Sequence, residues 1–220
     1  EGLHYLAVET EKMSGYLLEK FDLLQNPNFK DQSLLSVLRD AFENGVLSQE
    51  EAIGIAIILF GAGGESTSAL MGSSIYHLAT KSEIQNELRK NNELIVPFIE
   101  EVIRMSPPFR FHYRHVNSDC FLGGYPLVSG EKLLLSWDSA NRDENQFDNP
   151  NEFSLKREKP KNHMGFGRGA HFCIGATLAR LEVKIFIETL LESFDQFKLK
   201  NEPCYLNSIF VRRFTSLEIE

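Results

Sequence analysis

The stretch of residues 50–80 constrains the fold most, because it can form only one long helix. It contains no proline, and its residues are apolar on nearly every side up to Gly61. Ser48 precedes the stretch and Glu51 follows three positions later, which is the spacing of a capping box at the start of a helix. A helix of this length and apolar character is predicted to run through the middle of a core.

The centre of this predicted helix contradicts its own helix propensity. Its sequence is FGAGGEST, in which Gly63 and Gly64 each cost about 1 kcal/mol relative to alanine in a helix interior. Glu65 adds a carboxylate among apolar neighbours. Such a conflict indicates either a functional site, where the helix loosens or its backbone is contacted, or a glycine pair for helix packing beside a solvent-facing glutamate. The stretch is not a phosphate-binding P-loop, because the lysine of that motif is missing.

A second feature is a glycine-rich loop around one cysteine, with the sequence HMGFGRGAHFCIG at residues 163–175. An apolar helical pattern begins at Ile174 and continues to about Phe194. A cysteine at the start of a helix lies near unpaired backbone N–H groups and the positive end of the dipole, which favour a thiolate. The glycines let backbone amides approach the sulfur closely. Cys173 is therefore a candidate axial ligand for iron.

The same loop also fits the dinucleotide-binding pattern GxGxxA, through Gly165, Gly167 and Ala170. That pattern has to follow a buried strand. Residues 158–162, EKPKN, are polar and include a proline, so a buried strand is not expected there. The sequence disfavours a dinucleotide site.

A zinc site built from His163, His171 and Cys173 is a further alternative. Structural zinc is held by four ligands in pairs of short spacing. The other cysteines, Cys120 and Cys204, stand alone and far from the loop. The sequence therefore disfavours zinc as well.

The remaining patterns predict a mainly α fold with small β-sheet pieces. The polar stretch QNPNFKDQ is expected to end the first helix at Pro27, and residues 139–153 are polar and rich in turn formers. The predicted helices span residues 1–25, 34–44, 50–80, 97–105 and 174–194. The predicted strands span residues 109–116, 121–127, 132–137, 196–200 and 209–220, the last two joined by a loop around Pro203. An apolar stripe in the first helix comprises Leu6, Met13, Leu17, Leu18 and Phe21.

Composition narrows the classes of function. A net charge of −8 without a basic run argues against a nucleic-acid partner and against binding to an anionic membrane. Three scattered cysteines do not suggest a disulfide scaffold, so a reducing, cytoplasmic location is expected. No signal peptide and no uninterrupted apolar run of about 18 residues is present, so no membrane association is expected.

The cysteine loop resembles the haem-ligand loop of the cytochrome P450 family, FGxGxHxCxG. The six matching positions are Phe166, Gly167, Gly169, His171, Cys173 and Gly175. The resemblance implies that Cys173 is the axial ligand of the iron of haem b. It also implies that Phe166, Gly167 and Gly175 surround the cofactor, and that His171 is a partner of a haem propionate.

The glycine-rich centre of the long helix resembles the family's oxygen-activating helix, spelled (A/G)Gx(D/E)T. Ala62, Gly63 and Glu65 match, whereas Ser66 occupies the position of the family's threonine and Thr67 follows one step later. The resemblance implies that Ala62 and Gly63 contact the cofactor and that Glu65, Ser66 and Thr67 relay protons to dioxygen. Serine lacks the methyl group that restricts a threonine rotamer, so looser gating of proton delivery is expected.

Two further similarities involve charged residues. Glu101 and Arg104 lie at i and i+3, where an ordinary helical ion pair forms, and they match the family's structural ExxR motif. The resemblance implies Arg157 as the third member of this motif, which braces the segment that carries the cysteine loop. Arg114 matches the arginine that pairs with a haem propionate, although a plain charge at a strand edge is the alternative.

The order of these motifs matches the family over essentially the whole chain. The resemblance implies a haem-thiolate monooxygenase of the bacterial soluble type, which hydroxylates or epoxidises a small organic substrate. Its electrons are expected to come from NAD(P)H through a separate ferredoxin- or flavodoxin-type partner, because no flavin or nicotinamide motif is found. Enzymes of this family that depend on peroxide depart from the acid–alcohol pair that this chain nearly keeps.

Members of the family are about twice as long as this chain, which begins with Glu1 rather than Met. Residues 1–220 are therefore expected to be the carboxy-terminal, haem-binding portion of a cytochrome P450, with the amino-terminal half absent. A large apolar surface would then be exposed, and self-association is expected. The alternative is a truncated, non-catalytic haem-binding or interaction protein derived from the same fold.

Overall fold

The computed structural model describes residues 2–23 and 33–220, with side chains from residue 8 onward. The predicted helix end at Pro27, the polar stretch 25–32 and the side chain of Leu6 lie outside the described residues. The described chain divides into two compact units at residues 64 and 65.

The first unit is helical. It contains α1 (Gly2–Leu23), α2 (Leu34–Glu43) and the first part of α3 (Gln49–Ala79). The predicted capping box is present, since the Ser48 backbone N–H donates to Glu51 Oε2 (2.8 Å) and the Glu51 N–H donates to Ser48 Oγ (3.2 Å). The buried core of this unit comprises Phe21, Leu38, Ala52 and Ile53.

The long helix α3 is continuous through its glycine-rich centre, so of the alternatives given above the loosened helix is wrong. The helical backbone bonds persist because the two glycines weaken the helix by only about 1 kcal/mol each. The prediction of burial on nearly every side is also wrong, because Ile58 and Phe60 are 69% and 70% exposed. By length and composition α3 would suffice to cross a membrane, a test that the core helix of a soluble protein also passes.

Helices form the core of the second unit. Besides the end of α3, it contains α4 (Ser82–Lys90), α5 (Ile95–Met105), the short α6 (Trp137–Ala140) and α7 (Ala176–Ser193). A 3₁₀ turn leads into α5, which starts two residues before Pro97. Helix α4 was not predicted from the sequence. Its nine residues hold only two large buried apolar side chains, Ile84 and Leu88, too few for a clear helical period.

The core of the second unit is built mainly between α5 and α7. Ile99 and Ile103 of α5 are buried in one cluster with Val183 and Ile187 of α7. The predicted helical pattern at residues 97–105 and 174–194 is therefore confirmed as two amphipathic helices. Their packing fixes α7, whose first turn follows the cysteine loop directly.

Three small antiparallel sheets complete the second unit. β1 (Phe111–His115) pairs with β4 (Lys132–Ser136), with Tyr113 opposite Leu134. β2 (Cys120–Leu122) and β3 (Tyr125–Leu127) form a hairpin whose two turn residues, Gly123 and Gly124, both have positive φ. That conformation suits a two-residue hairpin turn. The predicted sheet regions 109–116, 121–127 and 132–137 are thus confirmed, with β1 and β4 inside their predicted bounds and the hairpin of β2 and β3 starting one residue earlier, at Cys120.

The predicted terminal strands need correction. The region 196–200 pairs with the chain end over a short stretch, through an isolated bridge between Leu199 and Ile219. The Lys198 N–H donates to the Glu220 carbonyl and the Lys200 N–H to the Glu218 carbonyl (3.0 Å each). The third sheet instead pairs β5 (Cys204–Tyr205) with β6 (Phe214–Ser216). Pro203 thus lies directly before a strand and not in the middle of a loop, a position where its missing N–H costs no ladder hydrogen bond.

We expect a pH-dependent stability from His77, which is buried on α3 with its Nε2 atom 3.0 Å from Ser106 Oγ. Burial, and then the charge of Lys81, lower the pKa of His77 from 6.5 to about 4. At pH values between these two pKa values, His77 binds a proton in the unfolded state but not in the folded state. The free energy of unfolding should therefore fall as the pH falls through this window, by up to about 1.4 kcal/mol per pH unit.

Urea unfolding at several pH values between 4 and 7 measures this slope. The variant His77→Gln keeps a hydrogen-bonding side chain but cannot titrate, so its slope should be smaller. Equal slopes in the two proteins would contradict the assignment.

Candidate functional site

A largely apolar cavity of about 440 Å³ lies in the second unit. Apolar side chains from α3, α5 and the cysteine loop meet polar and charged groups from β1 and the same loop. The residues around it are Ser66, Thr67, Leu70, Ile103, Pro108, Phe109, His112, Arg114, Trp137, Gly165, Phe166, Gly167, His171, Cys173 and Ala179. An apolar concave space with a few convergent polar groups is the usual form of a ligand site.

The cysteine loop is shaped by its own backbone. The Gly167 N–H donates to the Met164 carbonyl (2.8 Å), and the Cys173 N–H donates to the Phe166 carbonyl (2.9 Å). Gly167 and Gly169 have φ values of +70° and +74°, which residues with a side chain rarely adopt. The loop therefore folds back on itself and leaves the Cys173 thiol exposed at the cavity.

Neither rival interpretation of this loop gains support. A 3₁₀ turn, Pro160–Asn162, precedes the loop where a dinucleotide fold would need a strand. Among the described residues, no group of three or more His, Cys, Asp or Glu side chains is arranged to hold a metal ion. A single thiolate ligand is a different kind of site.

The structure places the predicted proton-relay residues at different depths on α3. Ser66 and Thr67 line the cavity, and Thr67 is buried. Glu65 is exposed, and Arg213 Nε lies 3.4 Å from its Oε1 atom. Ala62 and Gly63 belong to the first unit and are themselves exposed.

Basic side chains converge on the same cavity. Arg114 and His171, both predicted from the resemblance, line it and are exposed. His112 also lines it and was missed by sequence reasoning. The Trp137 Nε1–H donates to His112 Nδ1 (2.7 Å), so the other ring nitrogen carries the proton when His112 is neutral. Burial, and then the charge of Arg114, lower the pKa of His112.

Glu101, Arg104 and Arg157 come together in one buried cluster. The Glu101 carboxylate accepts hydrogen bonds from Arg104 Nη2 (2.7 Å) and Arg157 Nε (3.0 Å), and from the Ser154 N–H (3.0 Å). Burial alone would raise the pKa of Glu101, but the hydrogen bonds from Arg104 and Arg157 lower it. Arg104 also donates to the carbonyls of Asn141, Pro150 and Glu152. The polar segment before the cysteine loop is thus tied to α5.

A second buried cluster, adjacent on α5, was also missed by sequence reasoning. Glu100 accepts hydrogen bonds from Arg180 of α7 and lies 2.8 Å from His163 at the start of the cysteine loop. The neighbouring Glu100-Glu101 pair in the sequence was the only available signal. Its two members face different partners, which no local pattern reveals.

Comparisons with known proteins agree on one family. The family model described as Cytochrome P450 matches residues 10–209. "Cytochrome P450 144" of Mycobacterium tuberculosis is 45% identical over 209 residues, which cover 94% of this chain and 48% of that protein. The chain therefore spans about half the length of the curated relatives it matches.

Solved structures give the same result for the fold. CYP109E1 from Bacillus megaterium, in complex with corticosterone, is 34% identical with a TM-score of 0.89, covering 96% of this chain and 57% of that one. CYP109B1 from Bacillus subtilis is 29% identical with a TM-score of 0.91, covering 99% of this chain and 58% of that one. The architecture described above is thus that of roughly half of these structures.

Proposed function

This chain belongs to the cytochrome P450 family, and on that basis we propose that it is the haem-bearing part of a monooxygenase that hydroxylates or epoxidises a small organic substrate. The observation that carries the proposal is the meeting of one exposed thiol, basic side chains and two hydroxyls around one apolar cavity. The apolar lining supports a small organic substrate of low polarity.

The residues present fit a haem. An apolar macrocycle with two carboxylates and one iron needs an apolar wall, cations and a soft ligand. Cys173 would ligate the iron, and Arg114, His171 and His112 would hold the carboxylates. Phe166, Gly167 and Gly175 would lie beside the macrocycle, together with Ala62 and Gly63 as the family resemblance implies. At Gly167 the positive φ would strain any residue with a side chain, which supports a loop built to bring backbone close to a ligand.

Haem, when bound, supplies redox-active iron at which dioxygen is activated with two electrons and two protons. The residues of α3 would supply the protons. The exposed carboxylate of Glu65 would take a proton from water and pass it to the hydroxyl of Ser66 or Thr67, which donates its own proton into the cavity. Arg213 would restrain Glu65 between transfers.

The electrons would come from NAD(P)H through a separate ferredoxin- or flavodoxin-type protein. A cytoplasmic location is supported by three cysteines that are all free among the described residues.

Leu178, Leu181 and Ile185 form an exposed apolar stripe on α7. This stripe supports contact with a further polypeptide, either a segment that completes the length of the relatives or a second copy of the chain.

One observation favours a second candidate function, a non-catalytic haem-binding or interaction protein. Ser66 occupies the position of the family's threonine. Such a protein would bind haem weakly or not at all.

The absorption spectrum of the reduced, carbon-monoxide-bound protein tests the proposal, with the mass measured on the same sample. A Soret band shifted strongly to the red, as thiolate ligation produces, followed by substrate oxidation with a ferredoxin and its reductase, is the expected result. A protein that has the mass of this 220-residue chain but shows no Soret band would favour the second candidate.

We expect Gly63→Ala to separate stability from function. An added Cβ at Gly63 would meet nothing within 4 Å among the described residues, so alanine should raise the free energy of unfolding by up to about 1 kcal/mol. It should weaken haem binding in a titration, because the proposal places the cofactor against this backbone. Gly54→Ala, on the same helix and equally free of neighbours within 4 Å, is the matched control. Equal haem affinity in both variants would contradict the role of Gly63.

A further inference from the structure

Glu100 is a fully buried carboxylate with two basic partners. It accepts hydrogen bonds from Arg180 Nε (2.6 Å) and Nη2 (2.9 Å), and its Oε2 atom lies 2.8 Å from His163 Nε2. Burial alone would raise the pKa of Glu100, but the bonds from His163 and Arg180 outweigh it and lower the pKa to about 2. Glu100 is therefore an anion at neutral pH, held between α7 and the cysteine loop.

The hydrogen bonds of His163 assign its protonation. The Gly165 backbone N–H donates to His163 Nδ1 (3.2 Å), so this nitrogen carries no proton. The proton is then on Nε2, which donates it to Glu100. One imidazole thus joins the backbone of the loop to a buried anion on α5.

The first turn of the loop packs closely against α5. A Cβ on Gly165 would collide with the side chain of Ile103, so the backbone lies directly on that helix. The Met164 N–H donates to Asn141 Oδ1 (2.6 Å). Residues 163–165 are therefore fixed by contacts on both sides.

Phe166 transmits this position to Cys173. Its carbonyl accepts the Cys173 N–H (2.9 Å), and the Arg180 guanidinium lies 4.5 Å from its ring centroid. Through Arg180, the Glu100 carboxylate thus also restrains the Phe166 ring, which lines the cavity. A shift of His163 or Arg180 would move Phe166, whose carbonyl accepts the Cys173 N–H.

This cluster differs from the one around Glu101. The side chains that bind Glu101 anchor the segment before the loop, whereas those that bind Glu100 lie in the loop itself and in α7. Adjacent residues of α5 therefore support two different stretches of chain.

We infer that Glu100, His163 and Arg180 form a positioning cluster that holds the loop so that Cys173 is presented to the iron in one orientation. The inference rests on the proposed function of Cys173 as a ligand. None of the three residues touches the cavity, so they act through Phe166 and are not catalytic residues.

Two substitutions at His163 separate its two hydrogen bonds. His163→Gln can still donate to Glu100 through its amide. His163→Asn is shorter and can accept from the Gly165 N–H, but it does not reach Glu100. Gln85→Leu is the matched control, because Gln85 is also fully buried and donates to the carbonyls of Leu78 and Phe197, away from the loop.

Hydrogen exchange of the Cys173 amide, measured on the chain without haem, gives the first readout. His163→Asn should speed this exchange about ten- to hundredfold, since a buried hydrogen bond is lost and Glu100 is left short of a donor. His163→Gln should restore most of the protection, and Gln85→Leu should leave it unchanged. The second readout, on haem-loaded protein, is the fraction with the red-shifted thiolate Soret band under carbon monoxide, which should fall in His163→Asn and recover in His163→Gln.

Several results would overturn the inference. Unchanged exchange at Cys173 in His163→Asn would do so, as would equal acceleration in Gln85→Leu, or an amide that is already unprotected in the unaltered chain. The two readouts also distinguish the two proposals. If exchange responds as expected while even the unaltered chain shows no thiolate band, the proposed function fails and the positioning of the loop stands.

Discussion

Replacing Cys173 by serine is expected to abolish the red-shifted Soret band of the reduced, carbon-monoxide-bound protein completely. The proposed ligand is the sulfur, and a serine hydroxyl is a poor ligand for haem iron. The fold should not change, because the Cys173 side chain is exposed and its backbone hydrogen bond to Phe166 does not involve the thiol. The free energy of unfolding should stay within about 0.5 kcal/mol, as for other exposed substitutions.

Cys120→Ser and Cys204→Ser are matched controls, since both cysteines are exposed as well. Each should keep the thiolate band. A band that survives in Cys173→Ser and disappears in Cys120→Ser would show that Cys120, and not Cys173, is the ligand. A chain that takes up no haem in any form would favour the non-catalytic candidate.

Replacing Glu101 by glutamine is expected to lower the free energy of unfolding by about 3–5 kcal/mol. The side chains of Glu101 and Arg104 are 0% exposed and that of Arg157 is 9% exposed. Glutamine matches glutamate in size, so the substitution removes the charge and leaves two guanidinium groups without their anion. Urea unfolding followed by the fluorescence of Trp137 measures the loss, because Trp137 is the single tryptophan and lies in the second unit with this cluster.

Glu188→Gln provides the comparison in the same unit. Its pair with Lys184 on α7 is partly exposed, and its removal should cost no more than about 0.5 kcal/mol. If the Glu101→Gln protein is already unfolded without denaturant, the loss in the free energy of unfolding exceeds the stability of the unaltered chain, which also agrees with the prediction. A loss of less than about 1 kcal/mol would show that the buried cluster does not support the fold.

Local sequence signals predicted much of the architecture. The capping box at Ser48 and the helix end near Asn44 each act through neighbours in the chain. Their outcome is therefore independent of distant packing. Where the local signal was weak or misleading, prediction failed: α4 was missed, and the glycines of α3 did not interrupt the helix.

The candidate site divides in the same way. The spacing of residues 163–175 and of 62–67 pointed to the cysteine loop and the proposed proton-relay segment without any structure, because each is a contiguous stretch with its own chemistry. Folding decided which of these residues share a cavity. It brought Ser66 and Thr67 to the cavity that Cys173 lines, whereas Glu65 does not line it.

What the sequence determined by itself was the family, the helical class and the candidate ligand, since these depend on residue types at short, fixed spacings. What only the tertiary structure decided was the set of long-range partners: His112 with Trp137, and Glu100 with His163 and Arg180. These partners are separated by 25 to 80 positions. The physical reason is that a buried charge or imidazole requires a partner but does not specify where in the chain it lies, so only the packing of α5 against α7 and the loop selects it.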